Sequence, residues 1–343
     1  MPRELKHVGP NKLEIVEYQP AAPKAGQVQV KAEFGAAKHG TELAFFKGHA
    51  RKRGRYDDEL HLFEMPQKPP EGFAPGFMGN MFVGTVSAIG PDVTGFAEGE
   101  RVCGYGGFRE VQTVAASGLW KMARGASWKS AVCLDPADFA MSAVRDGHVR
   151  IGDAVAVFGM GAIGLMALQL ARLAGAHPVI AVEPLPIRRQ AASACGADMV
   201  VDPTRCDAGK ELKLATGKRG VDVAIDYSGS VHAMQAAIRG VAWGGTVVAG
   251  AFPSPYPAGL DLGAEAHMNL PTIVFTRACS EPGRDHPRWD EQRIFQVCWR
   301  LISEGLLTGE PVVTPVVPFD ALPEAYLEIA TAPEKNIKLG CEY

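Results

Sequence analysis

The stretch VAVFGMGAIGLM, residues 155–166, decides the fold of this chain of 343 residues. Four apolar residues typical of a buried strand lead into the pattern Gly159-x-Gly161-x-x-Gly164, and an apolar run with helical spacing follows it. In such a turn the first glycine permits a tight bend, the second lets a phosphate approach the backbone, and the third lets the helix pack closely on the strand. The pattern alone is weak evidence, but a strand before it and a helix after it indicate a dinucleotide-binding turn.

Segments typical of strands and of helices alternate from Gly152 onward. VIAVE, VDVAID and GGTVVAG are strand patterns, and the helical patterns IRRQAASACG and VHAMQAAIRGV lie between them. This alternation predicts an α/β fold with a doubly wound parallel sheet, that is, a Rossmann domain. The beginning of the chain instead shows the alternation of half-buried strands, as in KLEIVEY and QVQVKAEF, and predicts a β-rich domain.

Composition and charge narrow the class of protein. Hydrophobic residues make up 47% of the chain and charged residues 21%, as in ordinary globular domains. The 35 basic and 38 acidic residues give a net charge of -3, which argues against nucleic acid or a membrane as a partner. The seven cysteines form no CxxC pair, so we expect neither a disulfide framework nor a four-cysteine zinc lobe. Because no apolar signal region opens the chain, we expect a cytoplasmic protein.

The choice of dinucleotide depends on Glu183, which ends the second strand of the predicted Rossmann domain. An acidic residue there can accept hydrogen bonds from both ribose hydroxyls of NAD and would repel the 2′-phosphate of NADP. Arg188 and Arg189 follow closely and could pair with that phosphate if Glu183 turned away; otherwise Arg188 would cover the adenine. We therefore expect NAD as the cofactor, with NADP as the less favoured alternative.

With this turn in place, nearly the whole chain resembles the medium-chain dehydrogenase/reductase superfamily, the relatives of zinc alcohol dehydrogenase. VKAEFGAAKHGTEL is similar to the strand that ends in a Cys-Gly-Thr-Asp motif, and GYGGFREVQTV to the Gly-Gly-Phe-Ala-Glu-Tyr strand. PGFMGNMFVGTVSAIGPDVTGFAEGERV resembles the segment with the Gly-His-Glu and Gly-Asp-Arg-Val motifs. The resemblance implies a GroES-like catalytic domain, residues 1–135 completed by residues 271–343, around a Rossmann domain of residues 136–270.

The departures from this family lie at the catalytic zinc site. The resemblance places His39 at the cysteine ligand and Asn80 at the histidine ligand. It places Met81 at the glutamate that follows, and Asp135 at the last ligand. Catalytic zinc needs three protein ligands, and only His39 and Asp135 remain as donors. We therefore expect no zinc and predict no metal-binding residues.

Two of these positions suggest a mechanism without metal. Ligands of one zinc ion lie within hydrogen-bonding range of each other, so we predict a dyad in which Asp135 orients His39. An imidazole held in this way is a natural general acid and base near neutral pH. The resemblance implies that the hydroxyl of Thr41 relays the proton of the substrate. The alternatives are that His39 only fills a former ligand position and that Thr41 only bonds to the backbone.

Further cofactor positions follow from the resemblance. Ser228 and Gly229 match the loop beside the nicotinamide and its ribose, and Ala251 matches the residue that passes near the carboxamide. The complete set of predicted cofactor-binding residues is Gly159, Gly161, Ala162, Ile163, Gly164, Glu183, Arg188, Ser228, Gly229 and Ala251.

Two other segments have predicted roles. The apolar segment Leu270–Cys279 resembles the sheet edge that pairs across a two-fold axis in the family, so we expect a homodimer or homotetramer. The polar stretch 47–76, with His49 and His61, is either a surface loop or a flap over a ligand.

We therefore predict an oxidoreductase that transfers hydride between NAD and a secondary alcohol or ketone without catalytic zinc. The polar stretch favours a small, hydroxyl-bearing substrate such as a polyol, sugar or cyclitol. One alternative is a zinc-free NADPH-dependent enone or quinone reductase of the same superfamily, against which Glu183 argues, since such reductases usually need a site for the 2′-phosphate. The other is a catalytically inactive NAD-binding protein, which would bind the cofactor without turnover.

Overall fold

The structure, a computed structural model, describes residues 1–47, 54–64, 75–76, 78–253, 255–256, 258–278 and 282–343. They divide into two units, the first made of Met1–Trp128 and Thr314–Tyr343 and the second of Lys129–Val313. The predicted fold class, a β-rich domain together with a Rossmann domain, is confirmed. No helix among the described residues is long and apolar enough to cross a membrane.

The first part of the chain is mostly antiparallel sheet. Its strands are β1 (Arg3–Gly9), β2 (Lys12–Glu17), β3 (Gln27–Ala36), β4 (Arg55–Asp57), β5 (Leu62–Glu64), β6 (Met81–Ile89), β7 (Arg101–Tyr105), β8 (Val111–Ala115) and β9 (Leu119–Lys121). Helix α1 (His39–Phe46) follows β3, and a 3₁₀ turn at Ala116–Gly118 precedes β9. β1 pairs with β2, and β4 with β5, as antiparallel hairpins.

Helices and strands then alternate. The helices are α2 (Trp128–Ala131), α3 (Leu134–Asp146), α4 (Ala162–Leu173), α5 (Pro186–Ala194), α6 (Ala208–Ala215), α7 (Val231–Gly240), α8 (Glu265–Asn269) and α9 (Glu291–Ser303). The strands are β10 (Val155–Phe158), β11 (Val179–Val182), β12 (Met199–Val201), β13 (Val221–Asp226), β14 (Val241–Ala249) and β15 (Thr272–Phe275). The chain returns to the first unit through β16 (Val313–Pro318), α10 (Leu322–Thr331) and β17 (Lys338–Glu342), with 3₁₀ turns at Phe319–Ala321 and Pro333–Lys335.

The second unit is built on one parallel sheet with the strand order β12-β11-β10-β13-β14-β15. All of β10 is buried, because helices cover both faces of the sheet. Ala156 and Phe158 pack with the core cluster that includes Leu212 of α6 and Ile238 of α7. The apolar composition of β10 thus follows from its place at the centre of the sheet, with its carboxyl end leading into the glycine turn.

The sheet of the first unit joins the two ends of the chain. Its strand order is β16-β17-β3-β6-β7-β9, and β8 pairs with β3 as well. β17 runs antiparallel to β3, with Gly340 opposite Ala36. The N–H group of Ala37 also donates to the carbonyl oxygen of Leu339 at 3.0 Å. This pairing places the last strand beside the start of α1, where two predicted catalytic residues lie.

The division between the units differs from the prediction. The structure divides the chain after residues 128 and 313, whereas the sequence predicts boundaries at 135 and 270. β15 extends the parallel sheet beyond residue 270 by pairing with β14, from Thr246 opposite Thr272 to Ala249 opposite Phe275. Helix α9 then packs against α3. Tertiary packing therefore keeps the chain up to Val313 in the Rossmann unit.

The predicted polar stretch 47–76 is described in part. Its described residues include the hairpin of β4 and β5, and the exposed His61 next to it has a ring nitrogen 3.4 Å from the hydroxyl of Tyr56. His49 and most of the possible flap lie outside the described residues. The choice between surface loop and flap therefore stays a prediction.

Candidate functional site

At two of its positions, the glycine turn after β10 leaves no room for a side chain. Gly159 has a φ of +84°, and a Cβ atom there would lie 2.8 Å from the Cα and N atoms of Ser228. A Cβ atom at Gly164 would lie 1.9 Å from the carbonyl oxygen of Gly159. The first glycine therefore makes the tight bend, and the third allows α4 to start directly against it, as their spacing predicts.

The second glycine of the turn faces open space. Gly161 is the N-cap residue of α4, and a Cβ atom there would meet no described atom within 4 Å. Ala162 and Ile163 form the first turn of the helix and are half-buried. Gly161 has no side chain to cap the helix, and the first N–H groups of a helix attract anions. This arrangement fits a dinucleotide phosphate.

The carboxylate of Glu183 lies directly beside the turn. Glu183 follows β11 and is 2% exposed. Its Oε2 atom accepts the N–H of Met160 at 2.6 Å, and its Oε1 atom accepts the N–H of Leu185 at 3.0 Å. Two carboxylate oxygens offer about four acceptor sites, so the carboxylate retains capacity for hydroxyl donors. Its position beside the glycine turn is the one that an acid recognising a ribose needs.

The two arginines after Glu183 differ in their surroundings. The guanidinium of Arg189 donates to the carbonyl oxygens of Glu183 and Pro184, and it pairs with the carboxylate of Asp202 at 3.0 Å. Arg189 is therefore held by the protein itself, which reduces its availability to a 2′-phosphate. Arg188 lies half-buried in the first turns of α5.

The remaining predicted cofactor residues come together at the carboxyl ends of neighbouring strands. Ser228 and Gly229 follow β13, and Gly229 has a φ of +69°. A Cβ atom at Gly229 would lie 3.6 Å from that of Pro253 and 3.8 Å from that of Ala251, which follows β14. Ser228 also borders Gly159. Open α/β sheets bind their ligands at this edge.

His39, the first residue of α1, makes an unexpected contact with the backbone. Its Nε2 atom accepts the N–H of Leu339 at 3.2 Å, and the edge of its ring faces that of Tyr326, with 6.5 Å between the centroids. Nε2 must therefore be the unprotonated nitrogen, an assignment that follows from the bond. The lone pair that a general base would use is directed at Leu339.

The other two predicted catalytic residues occupy different parts of the molecule. Thr41 lies in α1 with an exposed side chain, and its N–H donates to the carbonyl oxygen of Lys38 at 3.0 Å. Asp135 lies in the first turn of α3 in the second unit and is 4% exposed. His39 belongs to the first unit and Asp135 to the second, and the predicted dyad stays a prediction.

The donor atoms at the family's zinc position fit a zinc ion poorly. The side-chain nitrogen of Asn80 is a buried amide that makes no hydrogen bond to a described residue, and Met81 is a buried strand residue. The lone pair of His39 Nε2 already accepts the Leu339 N–H. Among the residues that the structure describes, no group of three or more His, Cys, Asp or Glu side chains is placed to hold a metal ion.

Glu42, which the sequence alone does not single out, lies in α1 three residues after His39, and its pKa is raised. It is buried, its Oε2 atom accepts the hydroxyl of Tyr326 at 2.6 Å, and its Oε1 atom accepts the N–H of Lys38 at 2.9 Å. Burial raises the pKa of Glu42 to about 7, although these hydrogen bonds and the charge of Lys338 oppose the rise. Glu42 therefore titrates close to neutral pH.

One feature of the sequence indicates that Glu42 could lie close to His39. Glu42 lies three residues after His39, a spacing that brings two side chains to one face of a helix. The resemblance to a strand that ends in Cys-Gly-Thr-Asp predicts no helix here, so the sequence alone gives this spacing no meaning. Tyr326 and Lys338 lie almost three hundred positions away, and only the folded chain shows that they surround Glu42.

Comparisons with known proteins agree with this architecture. Residues 24–124 match the alcohol dehydrogenase GroES-like domain, and residues 162–279 match the zinc-binding dehydrogenase domain. The chain is 44% identical to D-guloside 3-dehydrogenase of Escherichia coli K12, over 99% of this chain and 100% of that protein. It is 30% identical to (R,R)-butanediol dehydrogenase of Bacillus subtilis 168, over 73% of this chain and 76% of that protein.

A solved structure has the same fold. The crystal structure of 2R,3R-butanediol dehydrogenase from Bacillus subtilis matches with a TM-score of 0.79 and 24% identity, and the match covers 100% of both chains. The chain belongs to the medium-chain dehydrogenase/reductase superfamily. It is an alcohol dehydrogenase-like oxidoreductase, in a family that depends on nicotinamide cofactors.

Replacing two glycines of the turn by alanine should separate folding from cofactor binding. Gly164→Ala should lower the free energy of unfolding by roughly 3 kcal/mol, because the new Cβ overlaps a carbonyl group. Gly161→Ala should leave it unchanged or raise it by about 0.4–1 kcal/mol, because φ is -74° and the space is open. The second variant should nevertheless bind NADH about tenfold more weakly, since its methyl group enters the phosphate cradle. Urea unfolding and NADH titration measure both effects, and equal behaviour of the two variants would contradict the assignment.

Glu42→Gln should remove a pH dependence from the stability. The pKa of Glu42 is raised from 4.5 to about 7, so the stability that protonation confers is fully present below pH 4.5. It is lost as the pH rises through about 7, and the loss amounts to roughly 3 kcal/mol. The glutamine cannot ionise, so unfolding free energies of wild type and variant should diverge from pH 5 to pH 8 in favour of the variant. Parallel stability curves over that range would show that Glu42 has an ordinary pKa.

Proposed function

We propose that the protein oxidises a secondary hydroxyl group of a sugar derivative to a ketone, with NAD as the hydride acceptor and without a catalytic zinc ion. The alcohol loses a hydride to NAD⁺ and a proton to the protein, which yields the ketone, NADH and H⁺. The full-length similarity to D-guloside 3-dehydrogenase is the observation that carries the proposal. We infer a glycoside as substrate, with the hydroxyl at carbon 3 as the reacting group.

The surroundings of Glu183 support NAD over NADP. Its buried carboxylate lies against the glycine turn, where the negative charge would repel a 2′-phosphate. Arg189, which could have offset that charge, is paired with Asp202. The same features disfavour an NADPH-dependent enone or quinone reductase.

The proton step involves residues at the start of α1. NAD⁺, when bound, accepts the hydride, and a base must take the proton of the alcohol. We assign this role to His39, reached directly or through the exposed hydroxyl of Thr41. In this assignment the substrate hydroxyl replaces the Leu339 N–H as the donor to Nε2, so the imidazole turns slightly when substrate binds.

A substrate and cofactor screen tests the proposed activity. D-Gulosides should be oxidised with NAD at a higher kcat/KM than polyols, cyclitols or simple alcohols, as followed by the absorbance of NADH.

NAD should bind at least about tenfold more tightly than NADP, and Glu183→Gln should narrow this ratio of affinities because it removes the charge. Glu304→Gln, which changes an exposed carboxylate of the same unit, is the control. Equal affinity of the wild type for both cofactors would refute the role of Glu183.

Substitution of His39 tests the proton step. In His39→Gln an amide oxygen can still accept the N–H of Leu339, but the side chain cannot take up a proton. The variant should fold and bind NADH normally, while kcat falls by roughly 10²–10⁴-fold, the usual contribution of a general base. Thr41→Val should lower kcat and Thr41→Ser should restore it.

Two results would contradict this mechanism. A His39→Gln variant with kcat within tenfold of wild type would assign His39 to the fold alone, as its bond to Leu339 would then suffice to explain it. Stoichiometric zinc together with loss of activity in chelator would refute a metal-free reaction.

The exposed edge of the parallel sheet supports a homodimer. β15 is the last strand of that sheet, and the large apolar side chains of Leu270 and Phe275 are 61% and 72% exposed. An apolar edge strand is a template for pairing with a second chain, and a two-fold axis would pair it with itself. We infer a dimer formed by two copies of β15, with a dimer of dimers as a possible larger assembly.

Light scattering after size-exclusion chromatography tests this assembly. Micromolar wild-type protein should have at least twice the mass of one chain. Ile273→Lys places a charge in the middle of the proposed interface and should yield monomers, whereas Leu214→Lys, at an exposed position at the end of α6, should not. A monomeric wild type would exclude the dimer.

A further inference from the structure

A fully buried carboxyl group stands at the carboxyl end of β13. Asp226 is 0% exposed, and its Oδ1 atom accepts both the N–H of Ser228 at 2.8 Å and the hydroxyl of Ser228 at 2.6 Å. Its main-chain oxygen accepts the N–H groups of Gly250 at 3.0 Å and Ala251 at 3.2 Å. One residue therefore ties together the segments that follow two adjacent strands of the sheet.

The segments that Asp226 contacts carry three of the predicted cofactor-binding residues, Ser228, Gly229 and Ala251. The Cα and N atoms of Ser228 lie 2.8 Å from where a Cβ of Gly159 would be, so Ser228 is in close contact with the glycine turn. Gly229 faces Ala251 and Pro253. Because these contacts are close, a displacement of Ser228 by a few tenths of an ångström would change the surface that a dinucleotide meets.

The second oxygen of this carboxyl group is poorly accommodated. Oδ2 is buried and makes no hydrogen bond to any described residue. Burial raises the pKa of Asp226, although the hydrogen bonds from Ser228 oppose the rise. A buried polar atom without a partner destabilises the fold. The fold alone therefore does not explain an aspartate at this position.

We propose that the carboxyl group of Asp226 is a positioning group for the cofactor, which holds the Ser228–Gly229 segment against the glycine turn at the expense of folding stability. It acts through Ser228, whose N–H and hydroxyl groups it accepts. The inference rests on the proposed use of NAD.

The same strand offers a matched control. Asp222 lies near the amino end of β13, and its Oδ2 atom accepts the N–H of Ala154 at 2.8 Å and pairs with Arg219 at 3.1 Å. Like Asp226 it links β13 to a neighbouring segment of the unit, but it does so at the edge away from the glycine turn. Its loss should weaken the fold without reaching the cofactor site.

The experiment compares NADH affinity with thermal stability in three variants. Asp226→Ala should raise the Kd for NADH about tenfold or more, while Tm stays within about 5 °C of wild type because a poorly accommodated carboxyl is removed. Asp226→Asn should keep the Kd within about threefold, because its amide oxygen still accepts the hydrogen bonds of Ser228. Asp222→Ala should lower Tm and leave the Kd within about twofold.

Three outcomes overturn the proposal. One is an Asp226→Ala variant that binds NADH within twofold of wild type. Another is an Asp226→Ala variant that fails to fold, which would show that the carboxyl serves the whole unit. The last is an equal loss of affinity in Asp226→Ala and Asp222→Ala. A wild-type protein that binds neither NADH nor NADPH would instead refute the proposed function, and this inference with it.

Discussion

The packing of Gly164 on the carbonyl group of Gly159 is the constraint on which the glycine turn and the predicted cofactor site depend. This contact leaves no space for a Cβ atom, so α4 begins directly at the end of β10. The first N–H groups of the helix then face the edge of the sheet at which β13 and β14 end. Ser228 can approach the turn because Gly159 has no side chain. Two missing Cβ atoms thus determine how closely helix, strand and loop meet.

Buried carboxyl groups organise both units, but their surroundings give them different properties. Glu183 accepts two backbone N–H groups and presents a carboxylate beside the turn. Burial raises the pKa of Glu42 more than the hydrogen bonds from Tyr326 and Lys38 lower it, so this pKa lies near neutrality. The second unit therefore has a carboxylate suited to recognising hydroxyl groups, and the first has a group whose charge changes with pH in the same helix as His39.

At His39 the backbone already uses the lone pair that the proposed proton transfer needs. In a zinc dehydrogenase of this family a metal ion would organise the corresponding position. Here β17 supplies an N–H group to Nε2, and Asn80 and Met81 provide no good metal ligand. In the mechanism that we propose, the imidazole exchanges the backbone donor for the substrate hydroxyl, which would couple proton transfer to substrate binding.

The sequence by itself determined the glycine turn, the parallel sheet around it and the acid beside it, because these depend on local spacing: a strand, three glycines, a helix and the end of the next strand. Tertiary structure decided the unit boundary at residue 313, through the pairing of β15 with β14. It also decided the bond between His39 and Leu339, which lie 300 positions apart, and the bond between Glu42 and Tyr326, which lie 284 positions apart. Periodicity reports which face of an element is buried, whereas hydrogen-bond partners and pKa values depend on atoms that meet only when the two ends of the chain come together.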